Sequence, residues 1–319
     1  MNLFYEKMPG GNFGDDMNLW FWDSVIPKWR DYKKESVLFG IGTIINEGNF
    51  TNYKDIFVMG SGVGYGTLPL PESKRNINYV WVRGPKSAIA LGLNEDLAIT
   101  DPAILTPRFT IPSNVIKRKP IFIPHATTAK LPIKWDELCN SIGIEYVSPK
   151  DDSISVIERI RDAEYVIAES MHAAIIADAY RIPWIPVSIS NQYNTFKWDD
   201  WASSLEMSVD TYEMLGFPKE LYSKIKEFRE ITNKYFKFKS DKGIKKGINE
   251  KHIVEKNKGE SERVKKLISK YEIVFEYLIK KGLRNSKSRM MMQSNISVYT
   301  RKIELIDEKI DLINRQISL

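Results

Sequence analysis

Short, continuous runs of apolar residues alternate with glycine- and proline-rich turns over the first 210 residues. In the N-terminal part these runs predict strands at residues 36–40, 55–60, 78–82 and 97–100, and a helix over residues 84–91. Continuous rather than alternating apolar runs are typical of parallel strands covered by helices on both faces. The pattern therefore predicts an α/β lobe over residues 1–110.

A proline-punctuated, basic stretch over residues 107–120 is typical of a linker, and a second α/β unit follows it. Its apolar runs predict strands at residues 121–125, 144–147, 165–168 and 182–189, with helices over residues 134–142 and 153–161. We assign this second lobe to residues 118–210. Two such units predict Rossmann-like lobes with a cleft between them.

The pattern becomes helical from about residue 211. Residues 211–260 are predicted to form a helical and connector region, and residues 261–319 a basic helix followed by a heptad helix. The heptad seam consists of apolar residues at alternating spacings of four and three: Met292, Ile296, Tyr299, Ile303, Ile306, Ile310, Ile313 and Ile317. The seam predicts either a homo-oligomeric coiled coil or a helix that packs back on the body.

Charge divides the chain in the same place. Residues 211–319 hold 26 Lys and Arg against 15 Asp and Glu, whereas residues 1–210 hold 21 against 26. A basic tail favours contact with an anionic membrane surface, although a solvated helix face is the simpler interpretation. Aromatic residues are not interleaved with the basic run, which argues against nucleic acid as a partner.

Composition places the protein in the cytoplasm, with peripheral association at the inner face of the membrane as an extension of that expectation. No apolar run reaches the roughly 18 residues that a membrane span needs, and the N-terminus lacks the pattern of a signal peptide. Cys139 is the only cysteine, which excludes an internal disulfide and a cysteine-based zinc site.

A turn at the end of a predicted strand carries Glu169, Ser170 and His172, and a small-residue helix follows it. Ligands of open α/β sheets bind outside the carboxyl ends of the strands, so His172 is a candidate for proton transfer with Glu169 orienting it. The alternative is a histidine that only caps the helix. His125 also follows a predicted strand, and we expect it to be structural.

Three other segments offer polar or glycine-rich chemistry. The turn over residues 10–18 holds Asn12, Asp15 and Asp16, which suit directional contacts to a ligand or the capping of a helix. The glycine-rich loop over residues 60–66 is either a phosphate cradle or a flexible turn. Arg83 follows a strand and suits an anion or a salt bridge. No metal-ligand cluster is expected.

In their order along the chain, these segments resemble the polysaccharide pyruvyl transferase family, in its exopolysaccharide branch. The matching segments cover about residues 1–210: residues 11–15, the turns 40–42 and 60–62 with Gly62, residues 82–87, residues 101–103 with Asp101, residues 170–172, residues 182–187 and residues 196–202.

The resemblance implies a glycosyltransferase-B-like arrangement of the two lobes. It also implies a transferase that moves the pyruvyl group of phosphoenolpyruvate onto two hydroxyls of a sugar in a surface polysaccharide or its lipid-linked precursor. The product is a pyruvate ketal, and phosphate is released. Neither a cofactor nor a metal is required for that reaction.

The resemblance also implies site residues. Arg83 is expected to bind the donor and His172 to give a proton. Asp15 is either the base for the acceptor hydroxyl or a hydrogen-bonding anchor for the sugar. The family motif Arg-Leu-His reads Ser170-Met171-His172 here, so donor binding lacks one cation. Replacements for it are Lys86, Arg108, Lys197 or the helix amides after Ser170. The remaining substrate contacts are expected from Asn12, Asp16, Gly62, Lys86 and Asp101.

Two other functions remain open at this point. A glycosyltransferase that uses a nucleotide sugar has the same two-lobed fold, and Glu169 could hold its ribose hydroxyls. A non-catalytic scaffold that oligomerises through the heptad helix is the other alternative.

Overall fold

The computed structural model describes residues 1–70, 75–109, 119–131, 133–189, 193–214 and 273–318. Two parallel sheets form its frame. The first sheet has the order β1-β2-β3-β4, with β1 at Asn2–Phe4, β2 at Val37–Phe39, β3 at Asp55–Met59 and β4 at Asn76–Trp81. The predicted strands at residues 36–40, 55–60 and 78–82 therefore lie in one sheet, and their continuous apolar runs fill its buried strands.

The second sheet has the order β6-β5-β7-β8-β9 and is also parallel. Its strands are β5 (Ile121–Ile123), β6 (Glu145–Tyr146), β7 (Val166–Ala168), β8 (Trp184–Ser188) and β9 (Tyr212–Glu213). All residues of β5, β7 and β8 are buried, as expected for strands with helices on both faces. The α/β class is thus confirmed.

Short helices connect the strands and follow them. They are α1 (Phe13–Asp16), α2 (Asn18–Val25), α3 (Glu47–Phe50), α4 (Pro85–Ala90), α5 (Trp135–Asn140), α6 (Ser153–Arg161), α7 (Met171–Ala179) and α8 (Thr195–Ser204). The helix α6 has the predicted bounds because the Asp152 side chain accepts from the Ser155 amide at 3.0 Å and caps it. In the C-terminal part, residues 273–286 form α9 and Ile296–Ser318 form α10.

Residues 97–100 do not form the predicted strand. The side chain of Asn94 caps a 3₁₀ turn at Glu95–Leu97, and Ala98 makes only a single bridge to Val82. Directly afterwards, Asp101 caps a second 3₁₀ helix at Pro102–Arg108. Two caps so close together leave too few extended residues for a strand.

One hydrophobic cluster joins the two halves, and each half also has a smaller cluster of its own. The small residues of α7 are fully buried, and this helix packs against the 3₁₀ helix Pro102–Arg108 of the first half. Apolar residues of both halves, for example Phe13 of the first and Val166 of the second, belong to the same cluster. The glycosyltransferase-B-like arrangement stays a prediction.

The heptad seam of α10 packs on its own chain. Ile306, Ile310 and Ile313 are buried in the core cluster that both halves share. The Tyr299 hydroxyl donates to the Ala179 carbonyl at 3.1 Å. This arrangement fits the alternative in which the helix packs back on the body, and the predicted homo-oligomer stays a prediction.

A polar anchor holds the segment before α10. The Asp178 carboxylate accepts from the Ser294 amide at 2.7 Å, and Met292 pairs with Trp184 beside β8. No described helix is long and apolar enough to cross a membrane. Most of the predicted connector, and the basic residues Arg263, Lys265, Lys266 and Lys270, lie outside the described residues.

Candidate functional site

A cavity of about 400 Å³ lies where strands of both sheets end. Its wall is built from residues that follow β1, β2, β3, β5 and β7, together with one residue of α8. The lining residues are Glu6, Met8, Asn12, Asp15, Thr43, Ile44, Asn46, Asn49, Tyr65, His125, Ala126, Thr127, Ser170, Met171, His172 and Lys197. The expected position at the carboxyl ends of parallel strands is therefore where the polar side chains converge.

His172 lies in the first turn of α7 and is almost fully buried. Its ring packs against Gly14, where a Cβ atom would come within 2.0 Å of Nδ1, so only glycine fits there. Its Nε2 atom has no hydrogen-bond partner among the described residues. Burial, with the charges of Lys197 and Arg83, lowers the pKa of His172 to about 3, so the imidazole is neutral.

Asp15 lies on the same wall, one residue after the glycine that contacts His172. Burial raises the pKa of this carboxyl group to about 7, although the charge of Lys197 and a hydrogen bond from the Asn12 side chain act in the opposite direction. Near neutral pH, Asp15 therefore exists in both protonation states. Asp16 points elsewhere and accepts from the Asn12 amide at 2.9 Å, which stabilises the start of α1.

Lys197 supplies a cation in the wall of the cavity. It projects from α8, is largely buried, and its Nζ atom donates to the Tyr65 hydroxyl at 3.2 Å. Its charge contributes to the pKa values of Asp15, His125 and His172.

The other two side chains considered as replacements for the family arginine lie outside the cavity. Lys86 pairs with Asp199 at 2.7 Å, and Arg108 pairs with Asp307 at 2.6 Å, both on the surface. Lys197 and the first turn of α7 therefore remain as the positive groups of this site.

Ser170 precedes α7 as its N-cap residue and lines the cavity. Its side chain makes no capping hydrogen bond to the helix. The first amides of a helix have no intrahelical partners, and the helix dipole places partial positive charge there. The start of α7 is thus suited to an anion, as expected from the motif.

His125 also lines the cavity, and its expected structural role stays a prediction. Its Nδ1 atom is 2.7 Å from the Thr127 hydroxyl, and burial lowers its pKa to about 4. Glu169 accepts hydrogen bonds from the amides of His125 and Ile189, at 3.0 and 2.9 Å. These bonds fix the ends of β5 and β8, whereas the predicted action of Glu169 on His172 stays a prediction. The position of His125 directly after a buried strand is the sequence feature that indicates a place at this edge of the sheet.

Arg83 lies behind the cavity wall instead of in it. Its side chain is fully buried, and Nε donates to Asp200 Oδ2 at 3.0 Å while Nη1 donates to the Thr43 hydroxyl at 2.7 Å. Gly62 makes room for this guanidinium, because a Cβ atom there would come within 2.3 Å of Nη2. Asp101 is also buried, caps the next 3₁₀ helix, and burial raises its pKa to about 6. Arg83, Gly62 and Asp101 thus lie outside the lining of the cavity, and their predicted contacts with a substrate stay predictions.

The glycine-rich loop presents Tyr65 to the cavity. Within this loop, the Gly62 amide donates to Gly42, and the Val63 amide donates to the Ser87 hydroxyl. These two amides are therefore already paired, and the phosphate cradle considered from the sequence of the loop stays a prediction. Tyr65 is instead flanked by Gly64 and Gly66, whose φ angles of 153° and 69° favour glycine.

No group of three or more His, Cys, Asp or Glu side chains that could hold a metal ion occurs in the part of the chain that the structure describes. The polar groups of the cavity are suited to anion binding by Lys197 and the α7 amides, and to proton transfer by Asp15 and the histidines. These are acid–base and electrostatic functions that act on a small anionic ligand.

Sequence comparison relates the chain to proteins of polysaccharide biosynthesis. Succinoglycan biosynthesis protein ExoV of Rhizobium meliloti (strain 1021) is 40% identical over 208 residues, which are 64% of this chain and 65% of that protein. The match thus spans somewhat less than two thirds of the relative's length. No solved structure shows a significant match. The model of the family named polysaccharide pyruvyl transferase matches residues 10–191, more than half of the chain. The chain therefore belongs to the polysaccharide pyruvyl transferase family.

Proposed function

We propose that this protein transfers the pyruvyl group of phosphoenolpyruvate to two hydroxyls of a sugar in an exopolysaccharide or its lipid-linked precursor. The observation that carries the proposal is the convergence of Lys197 and the start of α7 with Asp15 and His172 in one cavity. Family membership supports a transferase acting in polysaccharide synthesis.

Lys197 and the first amides of α7 bind the phosphate and carboxylate of the donor in this proposal. The ammonium group of Lys197 is held in a largely buried position, where its interaction with an anion is weakly screened. The helix N-terminus adds backbone donors, and Ser170 adds a hydroxyl in place of the family arginine. This pair of positive groups replaces direct binding by Arg83, which lies behind the wall.

The reaction consists of two additions at the same carbon atom. A proton added to C3 of phosphoenolpyruvate makes C2 electrophilic, and the first sugar hydroxyl adds to C2 and releases its proton. The bond between C2 and the phosphate oxygen then breaks, and phosphate leaves with a proton. The second hydroxyl adds to C2, releases its proton and closes the ketal. Two protons are taken up and two are released, and no electrons are exchanged with another reactant.

The charge states in the cavity support a division of the two proton transfers. About half of the Asp15 carboxyl groups retain a proton near pH 7 and can deliver it to C3. Neutral His172 can accept a proton from the attacking hydroxyl once the anionic donor is bound beside it, because a nearby negative charge raises the pKa that burial lowers. This assignment exchanges the roles that the family resemblance implied for the two residues. It predicts that kcat/KM decreases above about pH 7, as Asp15 of the free enzyme loses its proton.

The acceptor sugar contacts the part of the cavity around Tyr65, Asn46 and Asn49. A half-exposed aromatic ring with neighbouring amide side chains suits the apolar face and the hydroxyls of a pyranose. The cavity of about 400 Å³ is at the lower end of the usual range for ligand sites, which fits the donor and one sugar unit.

Contact of the outer surface of α9 with a membrane is a further part of the proposal. It exposes Ile273, Val274 and Tyr277 in the same helix as the exposed basic residues Lys281 and Arg284. Exposed apolar side chains beside basic ones favour an anionic lipid surface, where a lipid-linked acceptor would be located. Binding to vesicles that contain phosphatidylglycerol, but not to vesicles of phosphatidylcholine alone, is the expected result.

Calorimetry with phosphoenolpyruvate tests the donor assignment directly. The wild-type protein should bind phosphoenolpyruvate, and Lys197→Ala should weaken binding about tenfold or more, because a charge-assisted contact is lost. A panel of nucleotide sugars tests the glycosyltransferase alternative under the same conditions. Binding of a nucleotide sugar without binding of phosphoenolpyruvate would overturn the proposal, and binding of neither would favour the scaffold alternative. Phosphate release with hexose glycosides as acceptors then measures turnover.

A further inference from the structure

Arg83 and Asp200 form an ion pair that has no access to solvent. Both side chains are fully buried, and Arg83 Nε donates to Asp200 Oδ2 at 3.0 Å. Asp200 also accepts from the Ser87 amide at 2.8 Å and from the Ser87 hydroxyl at 2.6 Å. The carboxylate is thus held by three hydrogen bonds from the segment that follows β4.

This pair joins parts of the chain that are 117 residues apart. Asp200 lies on α8, which lies between β8 and β9 of the second sheet in sequence but packs against α4 of the first half. Gly84 permits the close approach, because a Cβ atom there would come within 1.9 Å of the Asp200 carbonyl oxygen. The α8 helix therefore has one defined position on the first half.

Lys197 precedes Asp200 by about one helical turn on α8, so the position of Asp200 determines where Lys197 enters the cavity. The beginning of the helix is held separately, because Asn194 donates to the Gly64 carbonyl at 2.9 Å. Arg83 also donates to Thr43, a residue of the cavity wall. The buried pair thus connects two parts of the wall without facing the cavity.

We propose that Arg83 and Asp200 are positioning residues, which hold α8 so that Lys197 meets the anionic donor. The proposal rests on the assignment of Lys197 to donor binding in the proposed function. It differs from the role implied by the family resemblance, in which Arg83 contacts the donor itself.

Two adjacent carboxylates of α8 provide a matched comparison. Asp200→Asn removes the charge of the buried pair, whereas Asp199→Asn removes the charge of the half-exposed pair with Lys86, which joins the same two helices. Measured by calorimetry, donor affinity should decrease about tenfold in Asp200→Asn and less than about twofold in Asp199→Asn. Turnover at saturating donor should change less than affinity does, because Lys197 is displaced rather than removed.

A double-mutant cycle separates positioning from direct contact. If Asp200 acts through Lys197, then Asp200→Asn should not weaken donor binding further in the Lys197→Ala background. A full additional loss in the double variant would overturn the proposal, since it would indicate that Arg83 acts on the donor independently of Lys197.

Asp200→Asn leaves Arg83 buried without a charged partner, and the variant is at risk of unfolding for that reason. Ser87→Ala is the milder second variant, because it removes one of the three hydrogen bonds to Asp200 and keeps the ion pair. It should weaken donor binding in the same direction, with the melting temperature measured in parallel.

The outcomes distinguish the two proposals. If Lys197→Ala weakens donor binding but neither Asp200→Asn nor Ser87→Ala does, the positioning role is refuted and the proposed function stands. If Lys197→Ala has no effect, the donor assignment in the proposed function is refuted first.

Discussion

Replacing Asp15 with asparagine removes a carboxyl group whose pKa burial raises from 3.8 to about 7. In the unfolded chain the same group loses its proton near the ordinary value, so the folded state holds the proton more tightly. At about 1.4 kcal/mol for each pKa unit, the ionised carboxylate lowers the free energy of unfolding by up to about 4 kcal/mol. Asp15 is partly exposed in the cavity, and solvent reduces this figure to about 2–4 kcal/mol.

The sign follows from the direction of the pKa change. A carboxyl group with a raised pKa in the folded state costs no stability below about pH 4, where it is protonated in both states. The cost grows as the pH rises from about 4 to about 7 and is constant above that. Asp15→Asn should therefore resemble the wild type at low pH and be the more stable protein at pH 8.

Urea unfolding of the wild type and of Asp15→Asn, measured from pH 4.5 to 8.5, tests this reasoning. The difference between the two curves removes the contributions of the histidines, which both proteins share. Asp23→Asn is a control of opposite sign, because a hydrogen bond from Arg30 lowers the pKa of Asp23, and its loss should cost stability at neutral pH. A difference between Asp15→Asn and the wild type that does not change with pH would refute the assignment of a raised pKa. The stabilised variant should also lose turnover by about 10²-fold or more, since a proton donor is removed.

Other variants test the site and the core. His172→Gln should lose less free energy of unfolding than the wild type as the pH falls below 6.5, because burial lowers the pKa of the wild-type His172 to about 3; identical pH profiles would contradict this. Ile306→Ala should lower the free energy of unfolding by about 2–5 kcal/mol in chemical denaturation, without changing the mass measured by light scattering. Replacement of the half-exposed Leu312 with alanine should lower it by less than about 0.5 kcal/mol. A changed mass would support the coiled-coil interpretation. Tyr65→Ala should raise KM for the acceptor more than Tyr65→Phe does, and equal effects would argue against a ring contact.

Local patterns predicted most strands because each buried strand needs a continuous apolar run wherever it lies in the fold. The bounds of α6 were also predictable, since the cap by Asp152 is a local interaction. The failure at residues 97–100 has a local cause as well, because the capping side chains of Asn94 and Asp101 were not recognised. Sequence reasoning therefore described each segment better than the relation between segments.

The site was predicted in part for the same reason. Asp15, Ser170 and His172 follow strands, and the structure brings all three to one cavity. Lys197 was one of four equal alternatives in the sequence, because nothing local shows that α8 crosses to the first half. Tyr65 was not identified as a residue of the cavity, because it lies within a glycine-rich loop whose sequence suggested phosphate binding.

Patterns along the chain are enough to predict the two parallel sheets and the polar turns at their carboxyl ends, since periodicity and helix capping depend on residues near one another in the chain. Which polar groups face the cavity, and where the heptad helix lies, depends instead on contacts between distant segments. Arg83 lies behind the cavity wall because it pairs in the buried interior with Asp200, 117 residues away in the chain. The same pair holds α8, from which Lys197 projects into the cavity. The apolar seam of α10 packs against other residues of its own chain. A short stretch of sequence does not show which distant group will bury a given charge or apolar face. The role of each residue depends on that partner, because a buried charge needs a partner and an apolar face needs a surface to pack on.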